Sequence, residues 1–155
     1  MSKIFVDTGA FVALFAKPDR YSAQAVSIYG RVLAEKVLLY TTNLVVAETC
    51  NLLARERGAG YHTAVRFGEY LRNNAVTCLP DGLLEPLPPD KSIYLVYSTP
   101  DLERRSWEIF GKYDTAGFSF TDCVSFAVME ALSIRQAFTF DEHYDVMGFE
   151  RLPEP

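Results

Sequence analysis

Close to its start the chain carries the stretch IFVDTGA, residues 4–10. Three apolar residues run into Asp7, a small, turn-permissive pair follows, and a second apolar run begins at Phe11. This pattern predicts a buried strand that ends in a turn and opens a helix. Asp7 is then expected at the carboxyl end of a strand, where α/β folds place ligands. Capping of the following helix is the ordinary alternative role for this aspartate.

The rest of the chain alternates between strand and helix patterns. Further strands are predicted at 37–41, 93–97, 137–140 and 149–152, and helices at 22–36, 44–57, 60–73, 100–113 and 122–132. Such alternation predicts an α/β fold of three layers, α/β/α, around a mostly parallel sheet of four to five strands. Residues 75–79 fit neither pattern clearly. The segment 80–90 holds four of the eight prolines and is expected to be a surface loop within one domain spanning 1–155.

Composition limits the classes of function. The net charge of −5 argues against a generally basic nucleic-acid-binding surface, but it leaves open an enzyme that gathers acids around metal ions. The three cysteines, Cys50, Cys78 and Cys123, are widely spaced and form no Cys-x-x-Cys motif, so reduced thiols in a cytoplasmic protein are expected. No apolar run is long enough to span a membrane.

Three more acids occupy positions that call for an explanation. Glu48 shares a helical face with apolar residues such as Leu44 and Leu52, and a carboxylate on such a stripe is costly unless it is paired or bound. Asp122 stands in the first turn of a predicted helix, and Asp141 ends a predicted strand. Each acid also has an ordinary explanation. Glu48 could reach solvent at the edge of the apolar stripe, Asp122 could interact favourably with the positive end of its helix, and Asp141 could be a turn residue.

Together with Asp7, these acids indicate a metal site. The topology brings all four carboxylates toward one edge of the sheet, where they would repel one another without a cation. Mg²⁺ and Mn²⁺ prefer oxygen ligands, and such a site suits metal-assisted hydrolysis of phosphodiester bonds.

The motifs around these acids resemble those of PIN-domain nucleases, and most closely the VapC-type toxins of toxin–antitoxin pairs. The resemblance lies in IFVDT at 4–8, VVAE at 45–48, SFTD at 119–122, TFDEHY at 139–144 and GF at 148–149, and it covers nearly the whole chain in family order. It implies a three-layer PIN-like fold and Mg²⁺- or Mn²⁺-dependent cleavage of RNA, commonly by a homodimer. A cognate antitoxin protein is the further partner that the resemblance implies.

The resemblance also assigns roles to residues. It makes Asp7, Glu48, Asp122 and Asp141 the catalytic, metal-holding acids. The supporting candidates are Thr8, Thr139 and Asp145, although Asp145 is also interpreted as a solvated turn residue. His143 could approach a phosphate and is interpreted as mainly structural.

Two other functions compete with the nuclease interpretation. Residues 7–10, DTGA, match the active-site tetrapeptide of aspartic proteases, but those enzymes need two such motifs and are nearly all strand. The helical patterns therefore argue strongly against that class. An inactive PIN-like module that only binds RNA or a protein stays open, and the presence of all four acids argues against it.

Overall fold

The computed structural model describes residues 2–55, 59–83 and 85–154. Within these ranges the chain forms six strands and seven helices. The strands are β1 Lys3–Val6, β2 Leu38–Thr42, β3 Ala75–Cys78, β4 Ile93–Val96, β5 Gln136–Phe138 and β6 Glu150–Leu152. The helices are α1 Thr8–Phe15, α2 Ser22–Ala34, α3 Asn43–Arg55, α4 Gly60–Asn74, α5 Pro100–Lys112, α6 Phe120–Ala131 and α7 His143–Val146.

The six strands form one sheet in the order β3-β4-β2-β1-β5-β6. Every neighbouring pair is parallel; Phe5, for example, lies opposite Tyr40 of β2 and Ala137 of β5. Because the strands run in one direction, their carboxyl ends meet at a single edge of the sheet. The β1 strand lies in the interior of the sheet, so the loop after it sits between the loops after β2 and β5.

The central strands are buried on both faces. Ile4, Phe5 and Val6 are each at most 3 % exposed, and consecutive residues of a strand point to opposite faces. Both sides of the sheet must therefore be covered, as in other parallel sheets with helices packed on each face. This confirms the predicted three-layer α/β/α fold. Between strands β2 and β4, the rings of Tyr40 and Tyr94 stack with their centroids 4.9 Å apart.

The structure has one strand more than the four to five predicted. The additional strand is β3, at the edge of the sheet, which comes from the segment that fitted neither pattern. Its sequence AVTC is short, and only Cys78 is buried, so it lacks a clear alternation of apolar and polar residues. The single-turn helix α7 was also not predicted. The predicted helix end at Gly58 lies outside the described residues.

The described part of the proline-rich segment 80–90 forms turns and irregular backbone rather than a strand or helix, as its composition predicted. In the described ranges, no helix combines the length and the apolar character needed to cross a membrane.

Candidate metal-binding active site

The four predicted acids come from four separate segments and line one cleft of about 560 Å³. Asp7 directly follows β1, Glu48 lies on α3, Asp122 is in the first turn of α6 and Asp141 follows β5. The cleft lies at the edge where the carboxyl ends of the strands meet, which is where ligands bind in open α/β sheets. Glu48 was expected to face the same cleft as Asp7, and the structure places it there.

Thr139 joins two of the acids. Its hydroxyl donates to Asp7 Oδ2 at 2.8 Å and accepts from the backbone N–H of Asp141 at 3.0 Å. The position of Asp7 is fixed further by its own N–H, which donates to the carbonyl of Phe138 at 3.1 Å. Asp7 and Thr139, the residues that directly follow β1 and β5, are therefore hydrogen-bonded to each other, so the pairing of these strands positions the site.

Asp122 is fixed by the start of its helix. Ser119 is the N-cap residue of α6; its hydroxyl accepts from the N–H of Asp122 at 3.0 Å, and its own N–H donates to Asp122 Oδ2 at 3.0 Å. This reciprocal pair is a capping box, in which one side chain satisfies the backbone of the other. Asp122 is only 8 % exposed. The same carboxylate therefore caps the helix and lines the cleft.

His143 connects Asp122 with Asp141. Its Nδ1 lies 3.2 Å from Asp122 Oδ2 and 3.4 Å from Asp141 Oδ2, and its backbone N–H donates to Asp141 Oδ1 at 2.9 Å. One ligand atom from each of these three residues lies within 4.8 Å of the others. The sequence interpretation treated His143 as mainly structural, although its position two residues after Asp141 was a signal that it could share the site.

Burial and mutual repulsion raise the pKa values of the two most enclosed acids. Burial raises the pKa of Asp7 to about 7, with the negative charge of Asp122 as a further cause and the hydrogen bond from Thr139 opposing the shift. Burial also raises the pKa of Asp122, and the charge of Asp141 adds to that effect. The N–H of Ser119 and the His143 ring oppose it. With a pKa of about 7, Asp7 is partly protonated at neutral pH, and a bound cation would favour its carboxylate form.

A buried hydroxyl in the cleft lacks a partner. Thr8 Oγ1 is enclosed without a hydrogen bond to any described residue, and Thr8 lines the cleft. Burying a polar atom without a hydrogen-bond partner costs free energy unless a water molecule or an ion interacts with it. The oxygen-rich donor set and this hydroxyl fit Mg²⁺ or Mn²⁺, which take oxygen ligands and usually retain several waters. The residues present therefore fit a hard divalent cation.

The structure also places Asp145 and several cleft-lining residues to which no sequence motif assigned a role. Asp145 does not line the cleft; it forms an ion pair with Arg151, with 2.7 Å between Asp145 Oδ2 and Arg151 Nη2. The mouth of the cleft includes side chains that the sequence did not single out, namely Arg20, Tyr21, Leu52, Phe140 and Glu142. Arg20 and Tyr21 belong to a turn whose sequence carries no motif, so only the fold reveals them. Phe140 and Glu142 lie within the motif at 139–144, but that motif indicated no role for either of them.

A comparison of the sequence with known protein families identifies the family of this fold. Residues 4–150 match the PIN domain, and the chain belongs to the PIN domain family.

Two curated relatives show how similar the chain is to individual members. It is 30% identical over 146 residues to the 23S rRNA-specific endonuclease VapC20 of Mycobacterium tuberculosis, which covers 94% of this chain and 95% of that protein. It is 26% identical over 133 residues to a VapC ribonuclease of Archaeoglobus fulgidus, covering 84% of this chain and 72% of the relative.

Solved structures agree at the level of the fold. The crystal structure of Mycobacterium tuberculosis VapC20, described as a sarcin–ricin loop cleaving toxin, matches with a TM-score of 0.73 over 94% of this chain and 95% of that one, at 30% identity. FitAcB from Neisseria gonorrhoeae matches with a TM-score of 0.55 over 96% of this chain and 95% of that one, at 16% identity.

Proposed function

We propose that this protein is an endoribonuclease that depends on Mg²⁺ or Mn²⁺ and acts as the toxin of a toxin–antitoxin pair. The observation that carries the proposal is the meeting of Asp7, Glu48, Asp122 and Asp141 in one cleft. Membership of the PIN domain family and the ribonuclease names of two relatives support the reaction. The toxin role is supported by the 30% identical relative whose structure is described as that of a toxin.

The four acids would hold the metal, and Thr8 offers a further oxygen nearby. A divalent cation in such a site activates water and neutralises charge that develops on the phosphate. The chain's own residues set up the donors. Thr139 orients the Asp7 carboxylate, whereas the Ser119 N–H and the His143 ring orient that of Asp122.

The nucleophile in this proposal is water rather than the ribose 2′-hydroxyl. A water molecule activated by a divalent cation that the four acids hold would make the attack, so the ribose hydroxyl is not required for it. The products would then carry a 5′-phosphate and a 3′-hydroxyl, without a 2′,3′-cyclic phosphate.

The test is incubation of end-labelled RNA with wild type and with Asp7→Asn, each with Mg²⁺ and with excess EDTA. A hairpin with the sarcin–ricin loop sequence is the first substrate to try, because the 30% identical relative is named for 23S rRNA and for cleavage of that loop. Cleavage by wild type with Mg²⁺ alone is expected. Cleavage that survives both EDTA and the substitution, or products that end in a cyclic phosphate, would refute the proposal.

An inactive module that only binds RNA or protein is the competing function, and the same assay separates it. Such a module would bind the hairpin without cutting it under any of these conditions. We further propose a cytoplasmic homodimer that binds an antitoxin protein. Its stoichiometry can be measured by light scattering of the purified chain with and without the product of the neighbouring reading frame.

A further inference from the structure

Arg20 stands at the mouth of the acid-lined cleft. Among the described residues that line the cleft, it is the only one with a permanently charged cationic side chain. The other basic group there, the His143 ring, already faces the carboxylates of Asp122 and Asp141. Arg20 is therefore the side chain in this lining that can attract an anion from solvent.

Aromatic rings hold the Arg20 side chain in place. Its Cζ atom lies 4.6 Å from the centroid of the Tyr21 ring, a cation–π contact. The Tyr21 ring in turn stacks on Phe140, with centroids 4.2 Å apart and planes 5° from parallel. Phe140 lies in the chain between Thr139 and Asp141, so the stack fixes Arg20 relative to the segment that carries two site residues.

The turn before α2 fixes the other end of the stack. The backbone N–H of Tyr21 donates to Asp19 Oδ1 at 2.8 Å, and the N–H of Ser22 donates to the carbonyl of Asp19 at 3.1 Å. The Asp19 carboxylate is thus engaged by the backbone rather than by Arg20. The orientation of the turn and the stack is set without using the guanidinium.

The Arg20 guanidinium has no acidic partner in the described part of the chain. In the ranges 2–55, 59–83 and 85–154, no carboxylate oxygen lies within 4.0 Å of a nitrogen of Arg20, although the cleft below is rich in acids. Among the residues that the structure describes, none accepts a hydrogen bond from its five N–H groups, which can therefore bind a ligand. A planar guanidinium that is stacked on an aromatic ring suits a phosphate, which it can bind through two parallel hydrogen bonds.

We infer that Arg20, supported by the Tyr21–Phe140 stack, binds a backbone phosphate of the RNA next to the bond that is cut. This inference rests on the proposed ribonuclease function. The acids below would repel the nucleic acid, and a fixed cation at the mouth offsets that repulsion and sets the register of the strand. Arg20 is therefore a substrate-binding residue, and Tyr21 and Phe140 are positioning residues.

The test compares Arg20→Ala, Arg20→Lys and Tyr21→Leu with a control, Arg31→Ala. Arg31 is also exposed and lies on α2, but it lines a different depression. Steady-state cleavage of the labelled hairpin is measured across a series of salt concentrations. Arg20→Ala is expected to raise KM about 10- to 100-fold, the range for losing hydrogen bonds to a charged group. It should change kcat by much less.

The salt series separates phosphate binding from a structural effect. Loss of one phosphate contact should make the slope of log(kcat/KM) against log salt shallower by about 0.7. Arg20→Lys should restore part of the slope and little of the KM, because lysine keeps the charge but not the two-pronged geometry. Tyr21→Leu should raise KM with the slope unchanged, and Arg31→Ala should match wild type.

The outcomes distinguish the two proposals. A wild-type protein without ribonuclease activity would overturn the proposed function and this inference with it. A wild type that cleaves RNA, together with an Arg20→Ala variant that keeps both its KM and its salt slope, would overturn the inference alone.

Discussion

Two depressions of similar size on this molecule differ in the partners of their carboxylates. The candidate active-site cleft measures about 560 Å³. A second depression of about 590 Å³, here called the α5–α6 groove, is lined mainly by α5 and α6, including Arg105 and Glu130, and by residues 79–81. In the α5–α6 groove, Glu130 is held by Arg105 through two hydrogen bonds of 2.9 and 3.1 Å, and Asp101 pairs with Arg104 at 2.9 Å. In the active-site cleft the carboxylates face one another and His143.

This difference separates acids that form ion pairs within the protein from acids that can bind a cation. Pairing leaves Glu130 little to offer a ligand, because Arg105 engages both of its oxygens. In the acid-lined cleft, burial raises the pKa values of Asp7 and Asp122, and the charge of a neighbouring acid adds to the shift in each case. Helix α6 carries one acid of each kind, Asp122 and Glu130, which provides a matched pair of substitutions on a single element.

The largest expected effect is on catalysis by this matched pair. Asp122→Asn should lower kcat/KM roughly a thousandfold, as expected when one group that stabilises the transition state electrostatically is removed. Glu130→Gln should leave cleavage unchanged, because its carboxylate faces the other groove. Initial rates on the labelled hairpin with Mg²⁺ measure both. Equal losses in the two variants would mean that the comparison does not separate functional from structural acids.

The next effect is the pH dependence of stability without metal. The folded-state pKa of Asp7 is raised from 3.8 to about 7. Its contribution to the unfolding free energy is therefore fully present below pH 3.8 and is lost as the pH rises through about 7. A shift of this size corresponds to at most about 4 kcal/mol.

Urea unfolding in EDTA across this pH window checks this prediction. Wild type and Glu130→Gln should lose stability as the pH rises, whereas Asp7→Asn should show a much flatter profile because its amide does not titrate. A steep profile in Asp7→Asn would assign the titration to another group.

Binding of Mg²⁺ should give a smaller shift in stability. A ligand that binds only the folded state stabilises it by about 2.7 kcal/mol at roughly 100 times its dissociation constant. Wild type and Glu130→Gln should both gain this stability, and Asp122→Asn should gain far less. Thermal unfolding at rising Mg²⁺ concentrations measures the shift. Equal gains in all three proteins would count against a metal role for Asp122.

The smallest expected effect concerns the paired acid. Glu130→Gln should lower the unfolding free energy by about 0.5 kcal/mol, the usual size for an ion pair that is partly exposed. A double-mutant cycle with Arg105→Gln isolates the pair, and its coupling energy should shrink at high salt. A coupling energy of several kcal/mol would show that the α5–α6 groove depends on this pair far more than its exposure suggests.

The sequence predicted the fold where periodicity and burial are strong. The apolar run at Ile4–Val6 predicts a central strand, since burial on both faces leaves no polar position within it. It also located the acids, because a carboxylate at a strand end or on an apolar helix face is unusual enough to notice. The edge strand β3 was not predicted because it is short and only Cys78 of its four residues is buried, so its sequence shows no clear apolar pattern.

Contacts between distant segments could not be predicted in the same way. The hydrogen bond from Thr139 to Asp7 joins residues 132 positions apart and depends on the pairing of β1 with β5. The stack of Tyr21 on Phe140 likewise brings two distant segments together. Phe140 lies in the motif at 139–144, but nothing in the sequence indicates that the turn at Tyr21 packs against it. Asp145 was considered as a fifth acid, yet its partner Arg151 is revealed only by the packing of α7 beside β6.

The long separation between Asp7 and Asp141 has a consequence for synthesis of the protein. The strand that positions Asp141, β5, pairs on one side with β1 and on the other with β6, and the N–H of Thr139 donates to the carbonyl of Leu152. A nascent chain that has reached only α5 carries the first two acids and cannot assemble the cleft. A ribosome making this chain is therefore not exposed to a finished nuclease site until translation has passed the β6 strand.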